Sequence, residues 1–313
     1  MDTLLIDTKL HNTQNATPKQ YVFSFEEGDG KNKQLLGGKG ANLCEMTQIG
    51  LNVPPGFVIS TEACLDFLGS DDHALLRGLM DDIKIQIHQL EKTSGKIFGD
   101  GENPLLISVR SGSAMSMPGM MDTILNLGLN SKTLEGLIKQ TGNERFCYDA
   151  YRRFIQLFGK VALGVPEEKF DEEFEDVKLH AGVKVDIGLN ADNLQEISNK
   201  FLKVVHSHTG REFPENVFEQ LEIAVKAVFN SWMGKRAIDY RREFKITPEM
   251  ANGTAVNVMA MVFGNMGNDC ATGVGFTRDP GTGENLMFGE YLVNAQGEDV
   301  VAGIRTKITF SPA

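Results

Sequence analysis

Between about residue 131 and residue 245 the apolar residues recur at the spacing of helix faces, and strand-like runs lie on both sides of that stretch. Phe146, Ala150, Phe154, Leu157 and Phe158 share one stripe, and Phe218, Leu221, Ala224, Val225 and Val228 share another. A largely helical middle between two strand-bearing regions restricts the chain to an α/β fold with two sheet-bearing lobes. Before the helices, Tyr21, Phe23 and Phe25 alternate as a strand, and the run from Gly56 to Ser60 reads as another. Between these two strands a short helix is expected over residues 41–49, closed by Gly50. Pro104 to Arg110 reads as a buried strand that delivers Arg110 to a loop of Gly, Ser and Met. After the helices, residues 254–264 and 273–278 return to strand composition, and 290–294 follow the turn Asp279-Pro280-Gly281-Thr282-Gly283. The expected division is a loose tail over 1–20, a first lobe over 21–130, a mainly helical region over 131–252, part of a second lobe over 253–306, and a divergent tail over 307–313.

Bulk properties remove several function classes. The formal net charge of -11 over 313 residues repels nucleic acid and anionic membrane at long range, so neither is an expected partner. Cys44, Cys64, Cys147 and Cys270 are far apart and form no CxxC pair, which suggests neither a zinc site nor a disulfide framework. The first twenty residues contain Asp2 and Asp7, no Arg and no sustained apolar run, unlike a secretory or transit signal. No stretch approaches the ~20 apolar residues of a spanning helix. The expected location is cytoplasmic.

Three stretches can carry chemistry. Gly37-Gly38-Lys39-Gly40 opens a helix, so backbone amides, the helix N-terminus and the Lys39 charge can meet an anion; the alternative is a structural turn with a solvated lysine. Arg110 can grip phosphate oxygens with two prongs, with Ser111, Gly112 and Gly119 in a flap over residues 111–123. Its alternative is a surface ion pair beside a core segment rich in Met115, Met117, Met120 and Met121. The strand through Met259, Met261 and Val262, which turns at Gly264, can form a wall for a flat base, or it is ordinary core. The acidic run over 166–176 reads as a solvated helix face, and His206 and His208 sit two apart without metal spacing.

The segments LLGGKGANLCEM, SVRSGSAMSMPGMMDTILNLGL, YDAYRRFIQLFG, MVFGN, FTRDPGTGE and GEYLVNAQGEDVVAG, in this order, resemble the pyruvate, phosphate dikinases over about Tyr21 to Thr306. The resemblance implies an ATP-grasp-like nucleotide-binding domain, in an enzyme that interconverts ATP, phosphate and pyruvate with AMP, pyrophosphate and phosphoenolpyruvate. It implies Mg2+ and a monovalent cation, and as partners a phosphohistidine domain and a pyruvate-binding barrel domain. Lys39 and Arg110 match the family's phosphate-binding, catalytic cations. Gly37, Gly38 and Gly40 lie in its glycine loop, Ser111, Gly112 and Gly119 in its flap, and Met259, Met261 and Val262 in its adenine hinge.

Two positions depart from the family pattern, Met259 where many members carry Gln and Ala271 where they carry Gly. The family also continues past the equivalent of Thr306 to an acidic metal-binding pair and a Gln-x-Arg, whereas Lys307 to Ala313 follow here. No metal ligand is therefore expected within this sequence. A catalytically incomplete chain is expected, and the competing reading is a non-catalytic truncated product or a nucleotide-binding module that works with a partner chain.

Overall fold

The computed structural model describes residues 19–72, 74–302 and 308–310. Val22–Ser24 (β1) leads by a turn to Lys33–Gln48 (α1), whose first turn is capped by the Asn32 side chain accepting from the Leu35 amide. Gly56–Ile59 (β2) runs through the Ser60 cap into Thr61–Leu68 (α2), and Leu79–Ser94 (α3) ends at Gly95 with positive φ. Ile97–Phe98 (β3) and Pro104–Leu105 (β4) pair in parallel, followed by Ile107–Gly112 (β5) and Thr123–Leu127 (β6). The helices Ser131–Thr141 (α4), Glu144–Ala162 (α5), Glu167–Ala181 (α6), Ala191–Thr209 (α7), Val217–Ser231 (α8) and Lys235–Glu243 (α9) come next. Ala255–Ala260 (β7), Ala271–Phe276 (β8), Phe288–Val293 (β9), Gly297–Ala302 (α10) and Ile308–Phe310 (β10) complete the order. Among the described residues no helix is long and apolar enough to cross a membrane.

Local sequence sets the helix ends. Asn130, Asn143, Asn190 and Asn216 each accept from an amide of the following turn, so α4, α5, α7 and α8 begin on asparagine. Gly142, Gly182 and Gly210 close α4, α6 and α7 in the left-handed region that side chains with a Cβ avoid. The helix expected over 41–49 is longer: α1 starts at Lys33 and is broken at Gly37.

Five strands form one antiparallel sheet in the order β1-β2-β7-β5-β6. Period-two alternation sends Phe57, Ile59, Val109, Val256 and Val258 into the main core, which α2, α3 and α8 also enter through Phe67, Ile83 and Phe229. Val58, Ala255 and Met259 face the other way, onto Leu36, Ala41 and Cys44 of α1. The expectation that a second lobe begins near Gly253 therefore places β7 wrongly. This strand pairs with β2 on one side and β5 on the other, and the second sheet, β10-β9-β8, begins at Ala271. The reason is burial: Ala255 to Met259 are covered on both faces, as a central strand must be.

The acidic run forms most of the solvated face of α6, as expected, with Phe170 turned inward. Residues 1–18, 307 and 311–313 of the expected tails lie outside the described residues, and 308–310 pair with β9. The helical region reaches the second sheet through Arg153 of α5, which donates to Asp299 at 3.1 Å and Glu298 at 3.3 Å in α10. Arg153 also holds Asp149 at 3.0 Å, and Arg152 holds the same carboxylate at 2.7 Å. Burial pushes the Asp149 carboxyl up, but the two guanidiniums outweigh it and bring it down to about 2.

Candidate functional site

At the end of the β5–β7 pair, α1 comes so close that side chains are excluded. Gly37 breaks the helix at φ 67°, and a Cβ there would lie 2.0 Å from the Gly112 carbonyl oxygen. The Gly38 amide donates to the Ser113 carbonyl at 2.8 Å. A Cβ on Gly40 would meet the Asn257 Oδ1 at 2.8 Å and the Val58 methyls at 3.0 Å. Two of the loop glycines thus serve close packing, and the Gly38 amide is engaged within the chain. The expectation that this loop offers its amides to an anion is not what its geometry is built on.

The charged groups behave differently. Lys39 lies directly after the break and reaches across to donate to the Ser111 carbonyl at 2.6 Å. Burial and the neighbouring Arg110 charge bring its pKa down to about 8. Arg110, on β5, is lowered by burial as well, and its Nε is buried without a hydrogen-bond partner. Among the described residues no acid raises the pKa of either group. Two half-buried cations held side by side are costly alone, and an anion between them removes the cost. Among the described residues the surface ion pair considered for Arg110 does not form. Among the described histidines, His206 is exposed and faces Glu212.

The segment after β5 divides its methionines. Met117 is buried in the main core, Met120 and Met121 pack partly against it, and Met115 is exposed. The core reading of this methionine box therefore holds for most of its length. Gly119 stands at φ 72° with open space where a Cβ would be. Arg236 of α9 ties the segment down, donating to the Gly119 carbonyl at 3.3 Å and to Asp122 at 2.8 Å.

Met261 and Val262 lie at the opposite end of the same strands. They line a cavity of about 550 Å³ together with Pro54, Pro55, Leu106 and Lys96. The Met261 amide donates to the Leu106 carbonyl at 2.9 Å. Met259 is apart from them: its side chain belongs to the α1 core and its position is paired on both sides, to Gly56 and Ser108. Leu106 lines the cavity and lies four residues before Arg110, so the cation pair and the cavity are roughly 13 Å apart at the rise of a strand. Among the described residues no group of three His, Cys, Asp or Glu side chains is placed to hold a metal ion.

A family profile described as pyruvate phosphate dikinase, AMP/ATP-binding domain, matches residues 33–97 and 74–311. The chain belongs to this family. Among curated relatives, the pyruvate, phosphate dikinase of Entamoeba histolytica is 63% identical over 287 residues, which is 92% of this chain and 32% of that protein. The Clostridium symbiosum enzyme is 52% identical over 288 residues, covering 92% of this chain and 33% of its own length. The chloroplastic pyruvate, phosphate dikinase 1 of Zea mays is 52% identical over 294 residues, 93% of this chain and 31% of that protein. The chain spans about a third of the length of these relatives. As a member of the AMP/ATP-binding domain family it is the part of a kinase family that handles the nucleotide.

Sequence reasoning missed Asn257, which is fully buried between Gly40 and Gly112. Its signal was a single amide inside the apolar run from Val256 to Val262. It also did not single out Arg236, which lies among Lys235, Arg241 and Arg242 of α9, or Lys96.

Proposed function

We propose that this chain is the ATP-binding part of a pyruvate, phosphate dikinase with an ATP-grasp-like fold, and that Lys39 and Arg110 hold the phosphates of ATP. The base would lie in the cavity beside Met261 and Val262, against their main chain. The observation that carries the reading is the half-buried Lys39–Arg110 pair, which no acid among the described residues neutralises. The cavity supports it by lying about a nucleotide's reach away along β5.

In the whole reaction, the β-phosphoryl of ATP would pass to a histidine on another domain, and then to pyruvate on a barrel domain. As the phosphoryl leaves, negative charge grows on the oxygens that Lys39 and Arg110 face. Cations already fixed there stabilise that charge without reorganising, usually the largest contribution to such a transfer. Gly119 would lie in a covering flap that follows β5 and that Arg236 anchors at its far side, while Ser111 and Gly112 end the strand beneath it. Magnesium would neutralise further phosphate charge in the family reaction. The described residues include no group of three His, Cys, Asp or Glu side chains placed to hold it.

Calorimetric titration of the chain with ATP tests the reading. Lys39→Ala and Arg110→Ala should each weaken binding by about 1.5–3 kcal/mol, the scale of a hydrogen bond to a charged group. Wild-type affinity in both folded variants would overturn the phosphate assignment.

A further inference from the structure

Asn257 occupies the middle of β7, on the face that meets α1, and no part of it is exposed. An uncommitted amide at such a place is costly, because burying a polar group without partners loses its hydration. Its Nδ2 donates to the Arg110 carbonyl at 3.2 Å. A Cβ on Gly112 would stand 2.7 Å from that same Nδ2, and one on Gly40 would stand 2.8 Å from the Oδ1. Gly112 in turn leaves no room for a Cβ on Gly37. Two of the glycines around Lys39 and Arg110, Gly112 and Gly40, thus abut this amide, and Gly37 abuts the Gly112 backbone. The Asn257 Oδ1, the Ser113 Oγ and the Arg110 Nε are each buried without a hydrogen-bond partner.

We propose that Asn257 is the positioning residue of the anion site, a neutral buried amide that sets the β5 backbone at Arg110 and Ser111 and so fixes both cations. The proposal rests on the reading of Lys39 and Arg110 as phosphate ligands. Its logic is mechanical. Arg110 takes its place from a carbonyl that Asn257 grips, and Lys39 rests on the next carbonyl, that of Ser111. With the amide removed, the Arg110 carbonyl loses this hydrogen bond, and the placement of both cations loosens with it. A neutral group is required there, since a carboxylate would itself pair with the cations and compete with phosphate.

The experiment compares wild type, Lys39→Ala, Asn257→Ala and Asn257→Asp in this chain. Three measurements are made on each: thermal melting, ATP affinity by calorimetry, and the Lys39 titration by NMR of its labelled amine. Asn257→Ala should weaken ATP about tenfold, the scale of one lost hydrogen bond, and raise the Lys39 pKa above its value of about 8. Asn257→Asp should raise that pKa further and weaken ATP more than Asn257→Ala does, although it keeps the side chain's shape. A merely structural asparagine would lower the melting temperature and leave the Lys39 titration and the affinity of folded Asn257→Ala unmoved; that result overturns the proposal. Should Asn257→Ala not fold, Asn257→Asp decides alone, and wild-type ATP affinity in it is the overturning result. Normal ATP binding by Lys39→Ala would instead remove the phosphate reading underneath, whatever the Asn257 variants do.

Discussion

The Lys39 ammonium rests on the Ser111 carbonyl at 2.6 Å, within the field of the Arg110 guanidinium. This one contact joins α1 to β5 and places a proton of adjustable affinity at the proposed phosphate site. Its titration can therefore be read in binding and in stability separately.

Phosphate favours the protonated amine, so ATP binding should raise the Lys39 pKa above its free value of about 8. Affinity should be flat below that value and fall as pH rises through it, by up to about tenfold per unit. Arg110→Ala removes the repelling charge, so the fall should move to higher pH in that variant. Calorimetry between mildly acidic and alkaline pH measures both; a midpoint indifferent to Arg110 contradicts the coupling.

Stability should run the other way. The folded pKa of Lys39 lies below the ordinary lysine value, so its charged form destabilises the fold at low and neutral pH, and the penalty is relieved as pH rises past about 8. Lys39→Met keeps the volume and removes the charge, and should stabilise the chain by about 1–3 kcal/mol at neutral pH while weakening ATP. Chemical denaturation at neutral and alkaline pH checks this. The gain should shrink at high pH.

Asp149 gives the opposite dependence. Its folded carboxyl is depressed to about 2 by Arg152 and Arg153 against the cost of burial. The stability it contributes is complete above the ordinary carboxylate range and is lost as pH falls toward that value. Asp149→Asn should cost about 3–5 kcal/mol by leaving two guanidiniums without their shared partner, and should flatten the acid limb of the melting profile. Thermal melts of both proteins across the acid range measure it, and parallel limbs would contradict the assignment.

Glycines of similar φ should differ sharply. Gly37→Ala places a Cβ 2.0 Å from a backbone oxygen and must displace α1 or the end of β5. Gly119→Ala meets open space and carries only the strain of a positive φ, about 1–2 kcal/mol. Melting of the two variants should rank Gly37→Ala far lower, and equal losses would mean that α1 and β5 do not approach so closely.

The sequence made some of this legible and hid the rest for physical reasons. Helical spacing around Phe154 and Val225 announced the helices, because one face of each lies in the core. The buried strand that carries Arg110 was readable, because a short apolar run ending in a charge is what a core strand reaching the surface looks like. The partner of that strand was hidden: β7 pairs with β2 and β5 across most of the chain, and periodicity carries no information about distant pairing. The glycine loop misled in detail, since spacing cannot tell a glycine that admits an anion from one that admits another backbone. Met259 looked like its neighbours Met261 and Val262, and only strand register separates its inward side chain from their place on the cavity wall.

The position of β7 also imposes an order on biosynthesis. Gly56 and its partner Met259 are roughly 200 residues apart, so at about 5–20 residues per second the β2 edge waits about 10–40 s for its neighbour. Through that interval β2 and β5 present unpaired amides and carbonyls to whatever strand comes near, including those of another nascent chain. The helices between them, which need only local contacts, can form while the gap is open. The vulnerable moment for this protein is therefore on the ribosome, where a slot one strand wide stays open until its last occupant has been made.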